Sequence, residues 1–126
     1  MNIFGIGTDI VSVNRIKNSL KNKNFISRIF NEKEILKCKR IKNSSNCYAK
    51  RFAAKEAFSK ALGTGISNGI NFNEIVILNK RSGKPYISII GQTKKILDKK
   101  FKRKSKISLS LSDEEKYAVA FVTISI

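Results

Sequence analysis

The stretch at residues 51–66, RFAAKEAFSKALGTGI, constrains this chain more than any other. Nothing between residues 48 and 62 breaks a helix, and Ala, Lys, Glu and Leu favour one. Ser44, Ser45 and Asn46 just upstream are N-cap types. Gly63 supplies the stop, because glycine takes positive φ past a last turn. Positions three and four apart share a helix face. Phe52, Glu56, Ser59 and Lys60 therefore line up, with Gly63 beneath them. A carboxylate, a hydroxyl and an ammonium point the same way, beside the loop Gly63-Thr64-Gly65.

The flanking sequence reads as a single α+β domain over 1–126, a mostly antiparallel sheet packed against helices. Residues 3–11, IFGIGTDIV, suit a buried strand through Ile3, Phe4, Ile6, Ile10 and Val11. Gly5 and Gly7 in that strand let a second backbone or a ligand come close. Residues 13–20 fit a short helix capped by Ser12, and Phe25, Ile26, Ile29 and Phe30 recur at helical spacing. Asn31, with Glu34 three residues on, opens a helix over 32–42. Residues 72–79 and 86–90 are strands joined by the turn that holds Gly83-Lys84-Pro85. A helix over 92–100 follows, then a cleanly alternating strand at 107–112. Residues 117–126 return antiparallel after a short turn, and the N-terminal strand joins the same sheet.

A chain of 126 residues is about one domain. Its net charge of +17 calls for an acidic partner: nucleic acid, an anionic membrane, an acidic protein or a phosphorylated substrate. Part of that charge reflects a composition rich in Lys, Asn and Ile, as AT-rich codons give. Cys38 and Cys47 make neither a framework nor a metal motif, and no histidine is present to complete a zinc site. Both are expected to be reduced, as small core or helix-face residues. No basic leader and no apolar run of ~20 residues occurs, so a soluble cytoplasmic protein is expected.

Two residues carry the chemical question. Asp9 is a lone carboxylate among apolar neighbours near a strand end; it reads as a cap on the next turn, or as a hard oxygen ligand or general base. Glu56 and Lys60 read as an exposed i, i+4 ion pair, or as part of a metal–phosphate site. Mg²⁺ takes one or two protein carboxylates, then phosphate oxygens and water. A helix C-terminus repels phosphate, so a phosphate there needs a metal and a lysine between. The P-loop pattern, which uses a helix N-terminus, is absent.

GIGTDIVSVNRI at 5–16 and KRFAAKEAFSKALGTGI at 50–66 resemble the two signature stretches of the holo-[acyl-carrier-protein] synthases, the small bacterial 4′-phosphopantetheinyl transferases. The GKP turn and the terminal YAVAFV strand sit where that family has them, so the similarity spans essentially the whole chain. The resemblance implies transfer of the 4′-phosphopantetheine arm of coenzyme A to a serine of apo-acyl carrier protein, with release of adenosine 3′,5′-bisphosphate. It implies Mg²⁺ on Asp9 and Glu56, and Lys60 at the phosphates, these three being the catalytic set. Ser59, Lys60, Gly63, Thr64, Gly65 and Pro85 would line the coenzyme. Arg15 and Arg28 would grip the acidic carrier protein, and the family works as a homotrimer.

One departure stands out. Many members close the penultimate strand with Ser-x-Ser-His, where this chain has Ser110-Leu111-Ser112-Asp113. Any role of that histidine does not carry over. A small basic nucleic-acid-binding protein is the competing class; the aromatic spacing fits a core, and no nucleic-acid motif is present. A relative that binds coenzyme A without transferring is the third reading.

Overall fold

The computed structural model describes residues 1–64 and 69–126. In chain order these form β1 (Ile3–Ser12), α1 (Val13–Ser19), α2 (Lys23–Ile29), α3 (Glu32–Lys39), α4 (Ser44–Leu62), β2 (Ile75–Asn79), β3 (Pro85–Ile89), α5 (Gly91–Phe101), β4 (Lys106–Asp113) and β5 (Tyr117–Ser125). A 3₁₀ turn at Phe72–Glu74 leads into β2, so that strand starts three residues later than its β-branched run suggests.

Helix α4 is the spine. Ala49, Ala53, Ala54, Ala57 and Phe58 along it are fully buried. Gly63 ends it in the left-handed region at φ 82°, its N–H donating to the Ser59 and Lys60 carbonyls. At the other end Asn43 occupies the cap position without a side-chain bond. Ser44, Ser45 and Asn46, expected as caps, therefore lie inside the first turn. The capping box at α3 forms as its sequence predicts, with Asn31 bonding the Lys33 N–H and the Glu34 carboxylate accepting from the Asn31 N–H.

The α+β class holds, and the strands divide into two antiparallel sheets, β1-β5-β4 and β2-β3. In the first, Gly7 pairs with Val122 and Asp9 with Ala120. Its inner face lies on α4, with Ala118, Ala120, Val122 and Ile124 buried. On β1 the inward positions are Gly5, Gly7, Asp9 and Val11. A Cβ on Gly5 or Gly7 would overlap the carbonyl oxygens of Ala61 and Ala57. The strand therefore rests directly on the helix backbone, which only glycine permits. This reverses one expectation: Ile3, Phe4, Ile6 and Ile10 are exposed rather than buried, Ile6 at 61% and Ile10 at 63%. The glycines face inward, so the period-two alternation sends Ile6 and Ile10 outward.

Phe25, Phe30, Tyr48, Phe52 and Phe72 make a chain of ring contacts that anchors α2 and the 3₁₀ turn on α4. Cys38 and Cys47 are buried, but they form a disulfide instead of remaining reduced. The short connection 40–43 brings the end of α3 back against the start of α4, which puts the two sulfurs together. Among the described residues, no helix is long and apolar enough to cross a membrane.

The β1–α4 contact gives the first prediction. Gly7→Ala must push the strand off the helix, because backbone atoms cannot yield as a side chain does. Urea unfolding should show a loss of about 2–3 kcal/mol. An unchanged midpoint would mean that the strand does not rest on the Ala57 carbonyl.

Candidate active site

The site follows from how β1 lies on α4. Gly5 meets Ala61 and Gly7 meets Ala57, so two strand residues match four helix residues, running in opposite directions. Two strand residues advance ~6.7 Å and four helix residues ~6 Å, so the two elements stay in step. The next inward position is Asp9, brought to the helix face that carries Glu56 and Lys60.

The Lys60 ammonium donates to Asp9 Oδ1 at 3.1 Å and to the Thr8 carbonyl at 3.0 Å. Thr8 is itself fixed, its hydroxyl donating to the Ala120 carbonyl. The Asp9 side chain is 15% exposed and that of Lys60 56%. An ion pair this open contributes no more than about 1 kcal/mol, so Lys60 is free to turn to another anion. Asp9 Oδ2 is buried and has no hydrogen-bond partner among the described residues. Burial raises the pKa of Glu56 above its ordinary value, and the nearby Asp9 charge raises it further, against the opposing effect of Lys60. Asp9 thus lies near enough for its charge to act on Glu56, and one oxygen of this carboxylate pair is buried without a partner among the described residues. Such a hard, anionic donor pair suits a cation that prefers oxygen, such as Mg²⁺. Among the described residues no group of three or more His, Cys, Asp or Glu is placed to hold a metal ion, so a cation here would have at most these two carboxylates from such side chains.

The other residues singled out in the sequence fall at different distances from this pair. Ser59 is buried in the last turn of α4, and Gly63 and Thr64 are exposed just past it. Thr64 borders a cavity of about 150 Å³ between the end of α4 and α5, lined also by Leu62, Ile70, Ile96 and Lys100. Gly65 lies outside the described residues. Pro85 opens β3 opposite Asn79, at the far end of the hairpin. Arg15 and Arg28 are both exposed, on α1 and α2. Arg15 edges a cavity of about 170 Å³ with Ile10, Ser19, Phe25 and Phe52. Asp113 ends β4 paired to Lys50 at 3.4 Å and accepts from Asn46 at 2.9 Å, tying the strand to the first turns of α4.

The burial of three charged residues is not expected from the sequence, where Glu34 reads only as part of a helix cap. Lys55 and Glu34 are fully buried and paired at 2.7 Å, and Arg51 is buried beside Cys47 and Asn79. The available signal was positional. Residues 51, 54, 55 and 58 share one helix face, and on that face Ala54 and Phe58 mark burial for Arg51 and Lys55.

Comparison with known proteins bears on the family of this chain. A family model for the 4′-phosphopantetheinyl transferase superfamily matches residues 5–122. The chain is 52% identical to the holo-[acyl-carrier-protein] synthase of Pelagibacter ubique over 98% of both chains. It belongs to the holo-[acyl-carrier-protein] synthases of the 4′-phosphopantetheinyl transferase superfamily. The crystal structure of such a synthase from Neisseria meningitidis superposes with a TM-score of 0.87 at 41% identity, covering 98% of this chain and 99% of that one. A Bacillus anthracis synthase in complex with CoA (3′,5′-ADP) superposes at 0.81 with 36% identity, covering 98% and 97%. A Helicobacter pylori synthase in complex with coenzyme A superposes at 0.79 with 32% identity, covering 95% and 99%. The resemblance read from the two signature stretches is borne out, and the chain is an enzyme of this transferase class.

The raised Glu56 pKa yields a prediction with a definite sign. A carboxyl whose folded pKa lies above its unfolded value costs stability as pH rises through that interval. In metal-free buffer at pH 7, Glu56→Gln should therefore melt above wild type, with the gap closing below about pH 4. A variant that melts lower than wild type at pH 7 would mean that Glu56 is not held near another negative charge.

Proposed function

We propose that this chain moves 4′-phosphopantetheine from coenzyme A to a serine of apo-acyl carrier protein, releasing adenosine 3′,5′-bisphosphate. The observation that carries this reading is the Asp9–Glu56–Lys60 constellation, with the unpaired, buried Asp9 Oδ2. The related synthases with CoA (3′,5′-ADP) and coenzyme A bound support the choice of co-substrate.

Asp9 and Glu56 would hold Mg²⁺. When bound, the ion supplies a positive centre that neutralises a diphosphate and the charge that develops on transfer. Lys60, released from its open pair with Asp9, binds phosphate oxygens from the side of the helix end. Ser59, Gly63 and Thr64 would contact the coenzyme, a role the resemblance extends to Gly65 and to Pro85. The nucleophile arrives on the partner, so no serine or cysteine of this chain need attack. Asp9, directly or through a water it orients, accepts the serine proton.

The net charge of +17 suits an acidic carrier protein, and exposed Arg15 and Arg28 stand ready to dock it. The outer face of the β1-β5-β4 sheet exposes Ile6, Ile10, Tyr117 and Phe121. An apolar face of that kind supports the expected homotrimer, in which copies cover it. A cytoplasmic enzyme that serves fatty acid synthesis, without nucleic-acid or membrane partners, completes the reading.

The test is direct. Incubation with coenzyme A, Mg²⁺ and apo-carrier protein should add the mass of the arm to the carrier. Asp9→Asn and Glu56→Gln should each lower turnover about 10²-fold or more while keeping the fold, since a metal is worth several kcal/mol of charge stabilisation. Wild-type turnover in either variant would take that residue out of the site.

A further inference from the structure

The one buried ion pair of the described residues lies a single residue away from Glu56. Lys55 and Glu34 have side chains with no exposure at all. An ammonium has three protons to donate, and Lys55 uses all three: on Glu34 Oε1 at 2.7 Å, on the Phe72 carbonyl at 2.8 Å and on the Ile75 carbonyl. Glu34 is equally committed. It accepts from the Asn31 N–H at 2.9 Å and from the Ile77 N–H at 3.1 Å as well as from Lys55. Four segments meet at this point: the start of α3, the middle of α4, the 3₁₀ turn and β2.

Stability alone does not account for the arrangement. A buried pair is commonly replaceable by apolar side chains without loss, because desolvation offsets the attraction. Burial indeed drives the Lys55 pKa down, against the pull of Glu34. What apolar side chains cannot reproduce is direction. Three hydrogen bonds at Lys55 fix the rotation of α4 about its axis. That rotation sets where Glu56, Ser59 and Lys60 point, since adjacent helix residues differ by about 100°. The same ammonium also grips the Phe72 and Ile75 carbonyls. These lie just downstream of the connection that leaves α4 at Gly63 and Thr64. One end of that connection is held by the Gly63 cap, and the other by Lys55.

We propose that Lys55, oriented by Glu34, is a positioning residue for the coenzyme side of the site. It holds the two ends of the loop after α4 at a set span and turns Glu56 toward Asp9, without touching the coenzyme itself. This rests on the reading of the Gly63–Thr64 loop as a coenzyme-binding segment. The carrier-docking residues Arg15 and Arg28 lie on α1 and α2 and take no part in the hydrogen bonds of Lys55.

The test separates positioning from folding. The double variant Glu34→Gln with Lys55→Met removes both charges together, so that neither is left buried alone. Glu34→Gln by itself leaves Lys55 its two carbonyl acceptors. The double variant should melt cooperatively, raise the KM for coenzyme A on the order of tenfold, and leave the KM for carrier protein within about twofold. Glu34→Gln should show a smaller rise. Where the double variant does not fold, Glu34→Gln, which keeps the Lys55 ammonium on its two carbonyl acceptors, serves in its place. A folded variant with wild-type KM and wild-type calorimetric affinity for coenzyme A, and only a smaller active fraction, overturns the positioning role. A wild type that neither binds coenzyme A nor modifies the carrier overturns the parent reading, and this one with it.

Discussion

Strand β1 has no side chain at residues 5 and 7, and everything else about this molecule depends on the closeness that results. The strand rests on the carbonyls of Ala57 and Ala61. No larger residue could stand at the two glycines without lifting the strand, and larger residues than alanine at 57 and 61 would crowd the same seam. That contact fixes the depth of Asp9. It lies close enough to the helix for Lys60 to reach its carboxylate, and for its charge to act on Glu56. The site is thus a consequence of packing, and its two acidic groups come together through a seam of small residues rather than through a loop.

Charge is used in two ways on the two sides of α4. On the β1 side, Asp9, Glu56 and Lys60 are partly open, and one carboxylate oxygen has no partner among the described residues. That side is left with unused capacity, which a cation and a phosphate would take up. On the opposite side, Lys55 and Glu34 are sealed and every donor of the ammonium is used. A fully satisfied polar network is rigid because any motion breaks several bonds in a medium without water to replace them. The helix is therefore firm on one face and receptive on the other, which is what a site that must hold its geometry before substrate arrives requires.

Much of this was legible in the sequence where the cause is local. The helix over α4, its stop at Gly63, the capping box of Asn31 and Glu34 and the hairpin around Gly83 all follow from residues within a few positions of each other. That Asp9 and Glu56 act together was an expectation from the residue types and from resemblance; the strand–helix step accounts for the nearness by which the Asp9 charge acts on Glu56. What failed was non-local. An alternating strand has two faces; Gly5 and Gly7 signalled a close backbone, but the apolar run of IFGIGTDIV put the isoleucines inside as well, and alternation cannot satisfy both. The helix face shared with Ala54 and Phe58 marks Lys55 for burial, but nothing local names its partner, which sits 21 positions away. The spacing of Cys38 and Cys47 likewise carries no statement about pairing; the return of α3 against α4 does.

The most direct measurement is a crystal of the protein grown with coenzyme A and Mn²⁺, with the ion placed by its anomalous signal. The account predicts one peak bounded by Asp9 Oδ2, the Glu56 carboxylate and oxygens of the diphosphate, with Lys60 turned from Asp9 to a phosphate. A metal held by only one of the two carboxylates, or a diphosphate bound elsewhere with the Asp9–Lys60 pair intact, would contradict it.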